Sequence, residues 1–247
     1  SGGSTQNVYL DDLPATATYT IKTDDTNFWA VRYDGKQLWT STNASYVIES
    51  VLDSDVTLFF KRGEYDIDYL ITQINGHSIK IEGESPAYYD TLGTGVVFNL
   101  GANGGFLFSH TSFMSYIEFS DITFVGAGTS ANYPAINFTG TGAIYHPKIE
   151  RCVFREFWGS NVPTLHLGNW ELGEILDCKF TPGTKYCHVL FDNADYGMGN
   201  VDFINNFVSS YYDTNNVAGV IRKRVTRGAG AYFFERNHWY EKEDTYD

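Results

Sequence analysis

Apolar and polar residues alternate in short runs along most of this chain. That period of two puts one side of a strand inward and the other outward. Beyond about residue 100 one short pattern recurs. FSDITF closes at Phe124, IERCVF at Phe154, ILDCKF at Phe180, FINNF at Phe207 and FERNHW at Trp239. The closing aromatics are 30, 26, 27 and 32 residues apart. A second apolar strand precedes each, at residues 105–110, 135–140, 164–169, 188–193 and 220–225. A unit this short cannot bury its apolar face alone, so the pattern predicts units that stack, like strand on like strand. Equivalent residues then form inward rows. One row is Phe108, Phe138, Leu167 and Phe191. Another is Phe106, Ile136, Leu165, Val189 and Val220. A third, at the bend, is Ile122, Cys152, Cys178, Asn205 and Asn237, where asparagine can satisfy turn backbone.

The first quarter reads differently. Residues 27–41 hold two aromatic-rich runs around Asp34-Gly35, which predicts a hairpin. Residues 42–54 place Tyr46, Val47, Ile48, Val51 and Leu52 at helical spacing, with Asn43 or Ser45 as N-cap. Residues 56–67 read as a buried strand, a glycine turn and a second strand. The expected division is a tag or linker remnant at 1–6, a hairpin and capping helix at 7–55, about seven coils at 56–240, and an acidic tail at 241–247.

The helix-to-strand entry at 47–67, with its Arg62-Gly63-Glu64-Tyr65 turn, and the five repeats together resemble the right-handed parallel β-helix proteins of the pectate-lyase-like superfold. The resemblance spans roughly residues 46–240. It implies an all-β fold: a single-stranded, right-handed parallel β-helix with an N-terminal β-hairpin and a capping α-helix over the first coil. Phage tailspikes and secreted or archaeal surface proteins of this superfold begin in the same way. The superfold hosts polysaccharide lyases, glycoside hydrolases, esterases and inert shafts, so it does not fix an activity. A β-sandwich or jelly roll shares the strand-and-turn composition. Five in-phase repeats weigh against it.

Composition narrows the partners. The net charge of −13 disfavours nucleic-acid backbones and anionic membranes, and no apolar run reaches the ~20 residues of a membrane span. The cysteines, Cys152, Cys178 and Cys187, lack metal-type spacing, and three is no disulfide framework. Sequons at Asn43 and Asn137 point weakly to secretion. The setting expected from the resemblance is extracellular, on a cell or virion surface.

If the rows hold, one outward face carries Asn137 and Thr139, then His166 and Asn169, then Asp192 and Asn193, then Lys223 and Arg224. His166, Asp192 and Lys223 are the candidate catalytic residues. A lyase needs a base and a cation to neutralise a uronate carboxylate. Asp192 and Asp195 are candidate ligands for calcium. No carboxylate pair suits a glycosidase well. The plainer reading is that a polar outward face is what any coil shows to water, and that a turn rich in Asp, Asn and Gly is a turn. Trp158 and Trp170 lie beside turns, and exposed Trp can form a platform for sugar or for another subunit; folded back, they would form a satellite cluster. The basic run at 221–228 either grips an acidic glycan or pairs with the acidic tail. The functional expectation is a protein that binds a polysaccharide along its side face, with or without cleaving it, with Asn137, Asn169, Trp170, Asp195, Arg224 and Trp158 as binding residues. The alternative is a structural or adhesive module. Open coil ends are exposed sheet edges, so a homo-oligomer, either a trimer or an end-to-end stack, suits both.

Overall fold

The computed structural model describes residues 17–74, 76–86, 95–111, 113–157, 160–181, 187–193, 200–212, 221–225 and 231–243. The chain opens with β1 (Tyr19–Thr23), β2 (Phe28–Arg32), β3 (Gln37–Ser41) and helix α1 (Ala44–Glu49). Strands then come in sets of three. The first sets are β4 (Val56–Phe60), β5 (Gly63–Ile67) and β6 (Leu70–Ile74); β7 (His77–Gly83), β8 (Val96–Leu100) and β9 (Gly105–His110); and β10 (Met114–Ser120), β11 (Thr123–Val125) and β12 (Ile136–Gly140). Two sets begin with a strand broken in two: β13 (Ile144–Tyr145) and β14 (Lys148–Glu150) before β15 (Val153–Arg155) and β16 (Leu165–Gly168), and β17 (Trp170–Glu171) and β18 (Gly173–Leu176) before β19 (Lys179–Phe180) and β20 (Val189–Asn193). Then follow β21 (Val201–Ile204), β22 (Phe207–Tyr212) and β23 (Ile221–Val225), and last β24 (Tyr232–Glu235) and β25 (His238–Glu243).

Successive strands visit three sheets in turn. The first sheet runs from β4 through β7, β10, β14, β18 and β21 to β24; the second from β5 to β25; the third from β6 to β23. Among the described residues every pairing from β4 onward is parallel, and only the β1–β2 and β2–β3 pairs are antiparallel. Among them the antiparallel pairing of a sandwich is confined to the opening strands. Inward residues of all three sheets merge into one core. The second sheet stacks its rings: Phe124 on Phe154 at 5.0 Å and Phe154 on Phe180 at 4.9 Å, within 10° of coplanar.

The hairpin turns at Gly35, with φ of 80°, a left-handed conformation that suits glycine. Asn43 caps the helix by accepting from the Tyr46 amide at 3.0 Å. Ala44, Val47 and Ile48 are buried under the helix. Tyr46, expected on the apolar face, is 47% exposed and packs edge-on to Trp39.

Two rows are displaced from expectation by one residue. In the second sheet the inward row continues Phe180, Val208 and Trp239, so Phe207 faces outward at 36% exposure while Val208 is buried. The bend row is accordingly Ile122, Cys152, Cys178, Asn206 and Asn237, with Asn206 in place of Asn205. The cause is backbone geometry. Each bend carries one left-handed residue before the inward one: Asp121, Arg151, Asp177, Asn205 and Arg236, with φ of 59°, 49°, 53°, 55° and 53°. In the third sheet Ile221, not Val220, lies beside Val189. Val220 is outside the described residues.

Asn206 is wholly buried and fully used. Its Nδ2 donates to the Ile175 carbonyl at 2.9 Å, and its Oδ1 accepts from the Cys178 amide at 2.8 Å. Its own amide donates to Asn237 Oδ1 at 2.8 Å. Asn237 repeats the pattern by donating to the Phe203 carbonyl. Replacing Asn206 strands buried backbone groups, each costing about 1–3 kcal/mol. Asn206→Ala should therefore destabilise the protein by about 2–4 kcal/mol in urea unfolding. Its neighbour should behave oppositely, with Asn205→Gly close to neutral, because its left-handed backbone suits glycine. Equal losses from the two variants would refute this division of roles.

Candidate functional site

On the outward side of the third sheet, parallel register sets Asn137 beside His166. His166 Nε2 lies 3.1 Å from Asp192 Oδ2, with the two side chains 20% and 15% exposed. They meet diagonally, because the direct partner of His166 is Leu190 and that of Gly168 is Asp192. A carboxylate that orients an imidazole is the base-and-orienter half of many catalytic sites. In the backbone register Lys223 pairs with Phe191, Arg224 with Asp192 and Arg222 with Leu190. The side chains of residues 222–225 lie outside the described residues.

Two expected binding residues are structural. Trp170 is fully buried and packs edge-on against Phe138 at 5.4 Å. It follows a turn, but the strand β17 carries it inward. Asn169 is 2% exposed with φ of 54° and donates to the Gly140 carbonyl at 3.0 Å. It holds a bend. Trp158 and Asp195 lie outside the described residues. The carboxylate of Asp192, the other expected calcium ligand, engages His166. Among the described residues no group of three or more His, Cys, Asp or Glu side chains is placed to hold a metal ion.

Cys152, Cys178 and Cys187 are buried and form no disulfide with one another. Burial pushes the Cys178 thiol well up, with Cys152 beside it adding to the effect. Both are packing residues, as a buried thiol is a small hydrophobe. His188 is also buried. Its Nε2 donates to the Ser209 carbonyl at 3.1 Å, and its ring lies on Phe180 at 5.6 Å. Burial pushes its imidazole down to about 4, against the smaller opposite effect of the Ser209 bond. Burial lowers His110 too.

A second feature, on the first sheet, escaped sequence reasoning. Ser78, Tyr116, His146 and Leu172 occupy equivalent places on four successive strands, and all have left-handed backbones, with φ of 52°, 55°, 52° and 54°. Unlike the bend row, this row lies inside the strands, and at His146 and Leu172 it breaks them in two. Tyr and Leu adopt this conformation at a cost of about 1–2 kcal/mol each. The kink opens a groove of about 350 Å3. One wall is Tyr116, His146 and Leu172. Tyr116 and His146 stack 5.2 Å apart and 6° from coplanar, and Tyr116 and Leu172 are 59% and 46% exposed.

The other wall is a charged row of alternating sign: Lys80, Glu118, Lys148 and Glu174. Lys80 bridges Glu82 at 3.1 Å and Glu118 at 3.5 Å. Lys148 bridges Glu150 at 3.0 Å and Glu174 at 3.9 Å. Burial alone would lower Lys80, but the two carboxylates raise it above its ordinary value. Burial alone would raise Glu150, and Lys148 with Arg151 holds it below the usual carboxylate range. Two lysines thus stand among four carboxylates. The alternating charges are visible in the sequence once register is known; the kinked row has no compositional signature.

The sequence matches no protein-family model, and no curated protein matches it at a significant level. The site therefore rests on its own geometry.

The buried histidine sets an acid dependence. His188 is neutral in the fold near pH 7 and takes up a proton more readily when unfolded, where its pKa is about 6.5. Its contribution is fully present above pH ~6.5 and is lost as pH falls towards 4. Between those limits stability should drop by roughly 3 kcal/mol, with His110 adding in the same direction. Urea midpoints measured across this range should fall less steeply in His188→Gln. An unchanged slope in that variant would assign the acid sensitivity elsewhere.

Proposed function

We propose that the three sheets wind as a right-handed parallel β-helix whose first-sheet groove binds a neutral polysaccharide. The observation that carries this reading is the in-strand row of strained, exposed residues at Tyr116, His146 and Leu172. Strained backbone of this kind concentrates at ligand clamps, and bend geometry does not require it here. Sugar rings present C–H faces and hydroxyls. An aromatic and aliphatic ledge suits the faces, and fixed lysines and carboxylates suit the hydroxyls. Successive strands are ~4.8 Å apart, so an extended glycan lying along the groove meets a repeating set of contacts.

Charge selects the class of glycan. The groove lining itself is balanced, with Lys80 and Lys148 against Glu118 and Glu174, and the whole chain carries −13. An acidic polymer would be repelled, and a neutral one would not. Such polymers are met outside cells, on cell or virion surfaces, which is where this reading puts the protein. Cleavage is a second reading, favoured by the His166–Asp192 pair. That pair lies on another sheet from the groove, which supports binding as the primary role.

Titration calorimetry over a panel of neutral and acidic polysaccharides tests the proposal. A neutral glycan should bind with little salt dependence. Tyr116→Ala should weaken it about tenfold, the loss of one good aromatic contact. Leu172→Asn should also weaken binding while leaving the melting temperature unchanged, because Asn tolerates the left-handed backbone. Tight, salt-sensitive binding of acidic polymers, indifference to both variants, or silence across the panel would overturn the reading. On any bound polymer, new reducing or unsaturated ends that vanish in Asp192→Asn would establish the cleaving role.

A further inference from the structure

The charged wall of the groove has a phase as well as a sign. Parallel register sets Lys80, Glu118, Lys148 and Glu174 side by side on β7, β10, β14 and β18. The charge therefore repeats on every second strand, a period of ~9.6 Å. The row is also short. Thr57 on β4 precedes Lys80, and Asp202 on β21 follows Glu174. Two lysine–glutamate alternations fit within it, and no more. The neighbouring outward row, Glu82, Ser120, Glu150 and Leu176, has no such alternation. Its two glutamates hold the lysines from outside the groove lining, at 3.1 and 3.0 Å. The four groove side chains are thereby fixed, yet they remain between 29% and 45% exposed.

We propose that the groove selects a zwitterionic polysaccharide, in which anionic and cationic sugars alternate, and holds two such pairs at a time. This inference rests on the glycan reading above and sharpens its substrate class, since such a polymer is neutral in net charge. An acidic chain meets Glu118 and Glu174, and a basic chain meets Lys80 and Lys148. Each sets like charges together. An uncharged chain avoids the clash and gains no ionic attraction. An alternating chain finds an opposite charge on every strand of the row. Sugar stereochemistry supplies the matching phase. One sugar of an extended, β-linked chain spans a length similar to one strand spacing, and successive sugars are turned over. The C6 carboxylate of a uronate and the C2 ammonium of the next sugar therefore lie along one edge of the chain. That edge faces the charged wall, with the sugar C–H groups against Tyr116, His146 and Leu172.

Calorimetry with tetrasaccharides tests this. The probes are de-N-acetylated hyaluronan, in which glucuronate and glucosamine alternate, its intact acidic parent, a basic glucosamine chain and uncharged cellotetraose. At mildly acidic pH, where the amines are charged, the zwitterion should bind about tenfold more tightly than cellotetraose, the gain of several partly exposed ion pairs. That advantage should shrink as salt rises. Affinity should climb from one repeat to two and then level off, because the alternation ends at Asp202. Glu118→Gln with Lys148→Gln should bring the ratio of zwitterion to cellotetraose affinity close to one. Thermal melts report whether that variant folds, and the length series on the wild-type protein needs no variant. Cellotetraose binding as tightly as the zwitterion would overturn the inference and leave the groove reading in place. So would tighter binding of the basic chain, or an affinity that keeps climbing with each further repeat. Tighter binding of the acidic parent, or silence from all four probes, would sink both.

Discussion

Parallel, in-register pairing is the constraint on which everything else rests. It sets each side chain ~4.8 Å from its equivalent in the next strand of its sheet. Whatever occupies one position must tolerate a neighbour of similar kind directly above it. Aromatic rings tolerate this well, and Phe124, Phe154 and Phe180 form a continuous stack. Side-chain amides tolerate it when each serves the next, as buried Asn206 and half-buried Asn237 do. Charges alternate in sign along Lys80, Glu118, Lys148 and Glu174, and the alternation ends at the next strand, where Glu174 lies beside Asp202.

The same constraint explains what the sequence disclosed. The stacking period and the inward apolar rows were legible, because burial of one face forces a period of two and stacking forces the repeat. The errors came from anchoring on residue type. Phe207 resembles the earlier closing aromatics, yet it is one position out of register, and the residue beside Val189 is Ile221 and not the expected Val220. The chain chooses its phase through the left-handed residue at every bend, and Asp, Arg and Asn share that role. No residue type marks it. Lys223 was therefore placed on the rung beside Asp192, where the backbone register sets Arg224. Trp170 was misread for a related reason: its glycine and turn neighbours suggested exposure, while β17 turns it into the core.

The His166–Asp192 contact was partly legible, since both residues were assigned to one outward face. The groove was not. It arises from four backbone kinks inside strands, at residues as unlike as Ser78, Tyr116, His146 and Leu172. Their side chains carry no common signal, and the feature exists only once four strands are aligned. Pattern reading favours repetition and is blind to a shared departure from ideal geometry.

The alternating wall of that groove has an evolutionary corollary. Repeat proteins grow and shrink by copying or losing whole units. Here a single unit gained or lost between Lys80 and Glu174 would set lysine beside lysine or glutamate beside glutamate at one rung spacing. Each such clash costs about 1 kcal/mol even in water, and more where the pair is shielded from it. Units added or removed in twos leave the alternation whole. Between Lys80 and Glu174 the groove therefore favours gains and losses in twos, whereas beyond Glu174, which already lies beside Asp202, it sets no such preference.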